Sequence, residues 1–161
     1  MLQISVAPSG STAVVRMSGE IEPEDSAAAF TFMTEVILGK YDRVLVDLSQ
    51  CKDMDSTFMG MLLLIGERYI RDKAHFYLVN VGEQNLEALK LLGIPEIIPI
   101  KKLALKESPE FAQIDLATFR KKEDRMKIIE MAHRALAAAN RQNAERFGSF
   151  LRLLEAEMTE P

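Results

Sequence analysis

A single cysteine, two histidines and no long apolar run leave this 161-residue sequence with few of the usual marks of a site or an anchor. Cys51 stands alone, which excludes an internal disulfide and fits a reducing compartment; it reads as a half-buried thiol at a strand end. His75 and His133 have no second histidine or cysteine at metal-ligand spacing, so no metal site is expected and both read as surface or packing residues. The most apolar stretch, FMGMLLLIG, runs only from Phe58 to Gly66 before Glu67 and Arg68 stop it, well short of the roughly eighteen residues that a membrane span requires. MLQISVAPSG has no basic segment followed by an apolar one, so no secretory leader is expected and the chain should be cytoplasmic. A net charge of −4 gives no general attraction to nucleic acid or anionic lipid. The one basic stretch, RKKEDRMK at 120–127, carries Glu123 and Asp124 and reads as a solvated helix face.

What is present is a regular alternation of strand and helix patterns. LQISVA (2–7) and TAVVRMSG (12–19) alternate apolar and polar residues around Pro8, Ser9 and Gly10, which predicts an opening β-hairpin. Pro23 with Asp25 or Ser26 starts a helix in which Ala28, Phe32 and Val36 recur at helical spacing and which should end at Gly39. RVLVDLS (43–49) is short and almost continuously apolar, the pattern of a central parallel strand covered on both faces. A helix from Ser56 to Arg71 follows, then the strand HFYLVNV. A helix in EQNLEALKLLG, closed by Gly93 with Pro95 beyond, and a short strand in EIIPI complete the series.

The order β-β-α-β-α-β-α-β predicts an α/β fold with a mixed, mostly parallel sheet and helical crossovers. Beyond Ile100 the composition shifts. SPEFAQ predicts a short helix with Ser108 as N-cap and Pro109 at its first position, and no further strand is expected. A helical hairpin follows, broken near Asn140 to Asn143, with Ile128, Met131 and Ala135 on one arm and Phe147, Phe150, Leu154 and Met158 on the other. The division is therefore a domain over 1–105 and a C-terminal helical extension over 106–161, packed against the domain or forming a homodimer with a second copy.

No enzyme is expected. Ser56 lacks the glycines of a nucleophile elbow, and no histidine lies where a triad follows from the sequence. Gly60 and Gly66 sit inside a helix, where they permit close packing, rather than in a loop that cradles phosphates, so no cofactor is expected either. What remains is the junction Asp55-Ser56-Thr57, just ahead of Phe58 and Met59, two large apolar residues that read as exposed in the first turn. Asp55 and Ser56 are both good N-cap residues. A phosphate on Ser56 would add about −1.5 to −2 charges beside the free amides of a helix N-terminus, which tolerate it, whereas beside Asp53 and Asp55 in an interface the same charge is costly. Such an asymmetry makes a binding switch.

The run VDLSQCKDMDSTFMGMLLLIG resembles the signature of the STAS domain of bacterial anti-sigma factor antagonists, in which a strand leads into Asp-Ser-(Ser or Thr)-Gly-Leu-Gly and a helix. MSGEIE is similar to that family's second strand with its Gly-Glu motif, and ALKLLGIPEIIPI to its third helix and last strand, so the likeness covers about residues 3–105. Phe58 and Met59 depart from the pattern by replacing the usual Gly-Leu, while Gly60 is retained. The resemblance implies a STAS fold with Ser56 as phosphoacceptor, Thr57 as the alternative hydroxyl and Glu22 in the place of an acidic residue near the site. It also implies an anti-sigma factor serine kinase as partner, a PP2C-type phosphatase that removes the phosphate, and partner switching in transcription regulation. Added to the junction read above, the expected partner-binding set is Glu22, Asp53, Asp55, Thr57, Phe58 and Met59. The competing expectations are a constitutive STAS scaffold or transporter-associated subunit that uses Phe58 and the C-terminal helices, and a small-molecule or nucleotide-binding module.

Overall fold

Strands β1 (Gln3–Ser9) and β2 (Thr12–Ser18) pair antiparallel, with Pro8 opposite Ala13. Pro8, expected in the turn, is thus in the strand; the turn is left to Gly10, at φ +60, and Ser11. Pro8 lies beyond Ile4–Val6, the part of β1 that pairs with a second neighbour, so its missing N–H breaks no bond of that ladder. The computed structural model from which these elements are taken describes residues 1–105, 110–120 and 125–160.

Helix α1 (Asp25–Phe32) widens into a single π-turn over Met33–Ile37 and leaves through Leu38 and Gly39, the latter at φ +82. Then come β3 (Arg43–Asp47), α2 (Ser56–Arg71), β4 (His75–Val79) and α3 (Glu83–Leu91). The strand expected over EIIPI is much shorter: Ile94–Glu96 form a 3-10 turn and β5 is only Ile100–Lys101. Ile94 and Ile98 turn into the core instead of extending, and Pro99, which has no N–H to give, contributes its carbonyl to Leu78 N at 3.1 Å.

The region after Ile100 differs most from expectation. Ser108 and Pro109, proposed as a helix start, lie outside the described residues, but Ala112–Ile114 form a sixth strand, β6, antiparallel to β1. Three residues are too few to show a period of two, and what makes them a strand is the otherwise unpaired edge of β1. A 3-10 turn over Leu116–Phe119 follows and seats Phe119 edge-on against Phe32, ring centroids 5.4 Å apart. Helices α4 (Arg125–Ala139) and α5 (Arg141–Thr159) form the hairpin, broken at Asn140 as the sequence predicts.

The six-stranded sheet runs β5-β4-β3-β2-β1-β6, parallel from β2 to β5 and antiparallel around β1. The antiparallel hairpin is therefore not the edge; β6 is. Because successive crossovers step the same way across the sheet, right-handed connections place their helices on one face. Burial follows this: Val15, Val44, Val46, Phe76 and Leu78 are buried, whereas Val14, Leu45 and Tyr77 of the other face are only half-buried. β3 is thus covered on one face, not on both. Phe32, Phe58, Leu62 and Leu136, the last from α4, complete a single core with the covered face. Two buried carboxylates are held by cations from distant segments: Asp47 by Arg16 Nε at 2.7 Å and Asp25 by an Arg120 guanidinium nitrogen at 3.2 Å. Among the described residues no helix is long and apolar enough to cross a membrane.

Candidate functional site

The loop from β3 to α2 is pinned before it reaches the serine. Gly19 N donates to Gln50 O at 2.9 Å and Lys52 N to Gly19 O at 3.0 Å, while the buried Asn85 side chain donates to the carbonyls of Cys51 and Lys52 at 3.0 and 2.9 Å. Gly19 is needed there: its φ is +94 and a Cβ would stand 2.6 Å from Met1 O. Burial, with Asp53 adding to it, pushes the Cys51 thiol up to about 11, so Cys51 is an inert packing residue as its plain reading predicts.

Asp55 then caps α2. Its backbone is extended and its carboxylate accepts from Phe58 N at 2.8 Å, which makes Asp55 the N-cap and Ser56 the first helical residue. Side chains two positions apart on a helix diverge by about 200°, so Ser56 and Phe58 point to opposite sides of α2. Phe58 is 0% exposed and Met59 6%. Both belong to the core, and the expectation that they face a partner from an exposed first turn is corrected. The ring that replaces the family's glycine fills the space between helix and sheet.

Ser56 lies on the side of α2 that faces α4. Its Oγ is 2.9 Å from His133 Nε2, and His133 Nδ1 is 2.7 Å from Ile129 O. A carbonyl only accepts, so Nδ1 carries the hydrogen; in the neutral ring Nε2 is then an acceptor and the Ser56 hydroxyl donates to it. The imidazole is 4% exposed and held between Phe147, edge-on at 5.2 Å, and Phe150 at 4.6 Å, both from α5. One turn further along α2, Gly60 shares this face. A Cβ there would lie 2.5 Å from Ala132 O and 2.8 Å from Ala132 Cβ, so α4 crosses α2 at a distance that only glycine allows. Gly66 likewise abuts Ile98 and Phe76, in keeping with the packing role read from the sequence.

The other expected site residues are dispersed. Thr57 is half-buried beside Ser56, and Asp53 and Asp55 are exposed on the approach loop. Glu22 is exposed and pairs with the Met1 amine at 3.6 Å. The structure therefore gathers Asp55, Ser56 and Thr57 at the helix start and removes Phe58 and Met59 to the core. It adds His133, which the sequence reading passed over as a packing residue. Nothing in its local spacing points to Ser56, 77 positions away. The one available hint was its neighbourhood of small residues, Ala132 and Ala135, suited to a close helix crossing.

The mostly parallel, half-covered sheet with its helical crossovers defines an α/β domain. The family model for the STAS domain matches residues 3–107, and the chain belongs to that family. Among solved structures, the NMR structure of the protein TM1081 is similar over 59% of this chain and 77% of that one, at 20% identity and a TM-score of 0.55, which shows a shared fold. The phosphorylated form of the Bacillus cell fate determinant SpoIIAA aligns over 65% of this chain and 92% of that one, at 17% identity and a TM-score of 0.49. No curated protein matches the sequence. β6, α4 and α5 lie beyond the stretch matched by the family model.

Proposed function

We propose that this STAS domain is a non-enzymatic binding module, an anti-sigma factor antagonist that works by partner switching with Ser56 as its phosphoacceptor. The observation that carries the reading is the placement of the Ser56 hydroxyl at the first position of α2, after the Asp55 cap and within the family's matched stretch. A phosphate on a serine there has its charge favoured by the positive end of the helix dipole. In the transfer, Ser56 Oγ forms a bond to the γ-phosphorus of ATP held by the anti-sigma factor serine kinase. The bond to the β,γ-bridging oxygen breaks, ADP leaves, and the hydroxyl proton passes to a base. A PP2C-type phosphatase would hydrolyse the ester. The unmodified protein binds the kinase and the modified one does not, since the added charge beside Asp53 and Asp55 is unfavourable in an interface. Intact-mass spectrometry with site localisation, on protein from its native cells or after incubation with candidate kinases and ATP, should find one phosphate on Ser56. A phosphate on Thr57 moves the site without changing the mechanism.

A second reading is favoured by a specific observation, the contact of His133, from the C-terminal helices, on the Ser56 hydroxyl. It is a constitutive STAS scaffold that no kinase addresses. Co-purification of the same stable partner with wild type and with Ser56→Asp would select it over the switch.

A further inference from the structure

Helix α4, outside the family's stretch, sits on the face of α2 that carries the serine, and α5 packs on α4. The contact is built from both sides: His133 reaches the Ser56 hydroxyl, and Ala132 presses into the space left by Gly60. At 2.9 Å Oγ and Nε2 touch directly. With the half-buried Ser56 side chain in this orientation, a phosphoryl group placed on the Oγ–Nε2 line would collide with the imidazole. Nor can the γ-phosphorus of a nucleotide approach Oγ along a line that the imidazole occupies.

The fastening of this hairpin is uneven along its length. At its bend it is anchored to the end of α3: Asn140 and the fully buried Asn143 both donate to Leu92 O, at 3.2 and 2.8 Å, and Asn140 caps α5. The two arms are joined to each other by Phe147 and Phe150 on His133 and by the pairing of Arg134 with Glu155. Against α1, however, the beginning of α4 leaves an open groove of about 250 Å³ lined by Phe30, Thr34, Ile128 and Met131. The bend is thus fixed by hydrogen bonds, whereas the start of α4 beside α1 is incompletely filled.

We propose that α4 and α5 form an intramolecular lid, hinged at Asn140–Asn143 and latched by His133, that withholds Ser56 from a kinase and from a partner until it swings off α2. The proposal rests on the reading of Ser56 as phosphoacceptor. Its corollary is that a phosphoserine at 56 and a seated α4 exclude each other, so modification holds the lid open. A partner that needs the α2 face binds the full chain more weakly by the fraction of molecules in which the lid is open.

Hydrogen–deuterium exchange on the full chain tests this with three variants. Gly60→Ala favours α2 itself, since alanine is the better helix former, yet drives a methyl into Ala132, so exchange in α4 should rise by about tenfold or more while β2 to β4 stay protected. His133→Ala removes the latch without a steric wedge and should raise α4 exchange by roughly fivefold, the population effect of one lost hydrogen bond. Ser56→Asp should also release α4. The proposal is overturned if α4 and the sheet exchange together in a single global event in wild type and variants alike. It is equally overturned if Ser56 is found phosphorylated with α4 as protected as before, a result that leaves the phosphoacceptor reading intact. Selective release of α4 in the variants with no phosphate ever found on Ser56 supports the lid and sinks that reading instead.

Discussion

Two buried side chains, Tyr69 and Cys51, set how the protein responds to alkali. Burial pushes the Tyr69 hydroxyl up to about 12 from 10.0, and burial with Asp53 pushes Cys51 up to about 11 from 9.0. Each keeps its proton in the folded chain after the unfolded chain has released it. The stability they contribute is complete below pH 9 and is lost as pH rises from there to about 12. Thermal melts should fall across that window, and Tyr69→Phe should flatten the part above pH 10. That variant also gives up the 3.2 Å hydrogen bond to Ile37 O, at a cost of about 1 kcal/mol near neutral pH. The same shift predicts that Cys51 resists iodoacetamide in the native protein at pH 8 and reacts once the chain is unfolded in urea.

Helix ends were the most legible elements, because the signals that place them are local. Asp55 accepts from Phe58 N and starts α2, Gly93 at φ +74 follows α3, and Asn140 starts α5 by accepting from Asn143 N at 2.8 Å. Asp55→Ala should therefore cost about 1 kcal/mol in denaturant titration, the usual loss for a helix cap. Its effect should be confined to the first turn of α2, without the release of α4 expected of Gly60→Ala. The short strands were the least legible. β5 was placed too early because Ile97, Ile98 and Ile100 suit a strand, but only Ile100 and Lys101 reach β4. β6 gave no signal at all, since its three residues become a strand only when they meet β1.

Across the whole molecule, the consequential correction is the side of α2 on which Phe58 lies. As a surface contact its removal would leave stability unchanged. Buried against the sheet, Phe58→Ala should cost about 3–5 kcal/mol by urea unfolding, the range for an aromatic removed from a core. The loss should appear in the global transition and leave the exchange of α4 relative to the sheet unaltered. The core that Phe58 joins also takes in Leu116 and Leu136, so residues beyond the family's stretch contribute to it. One molecule thus combines a core-forming face and a serine-bearing face on the same helix, about half a turn apart.

By itself the sequence determined the order of strands and helices up to β5, the helix starts and stops there, the bend at Asn140 and the presence of a capped serine at the head of α2. All of these depend on caps, glycines, prolines and periodicities that act within a few residues. Only the tertiary structure decided that Phe58 points to the sheet, that β6 closes the edge of β1, and that His133 meets Ser56. These depend on the angle and depth at which distant elements cross. At the decisive crossing, depth is set by a glycine hydrogen on α2 facing an alanine on α4, a coincidence that no local pattern records.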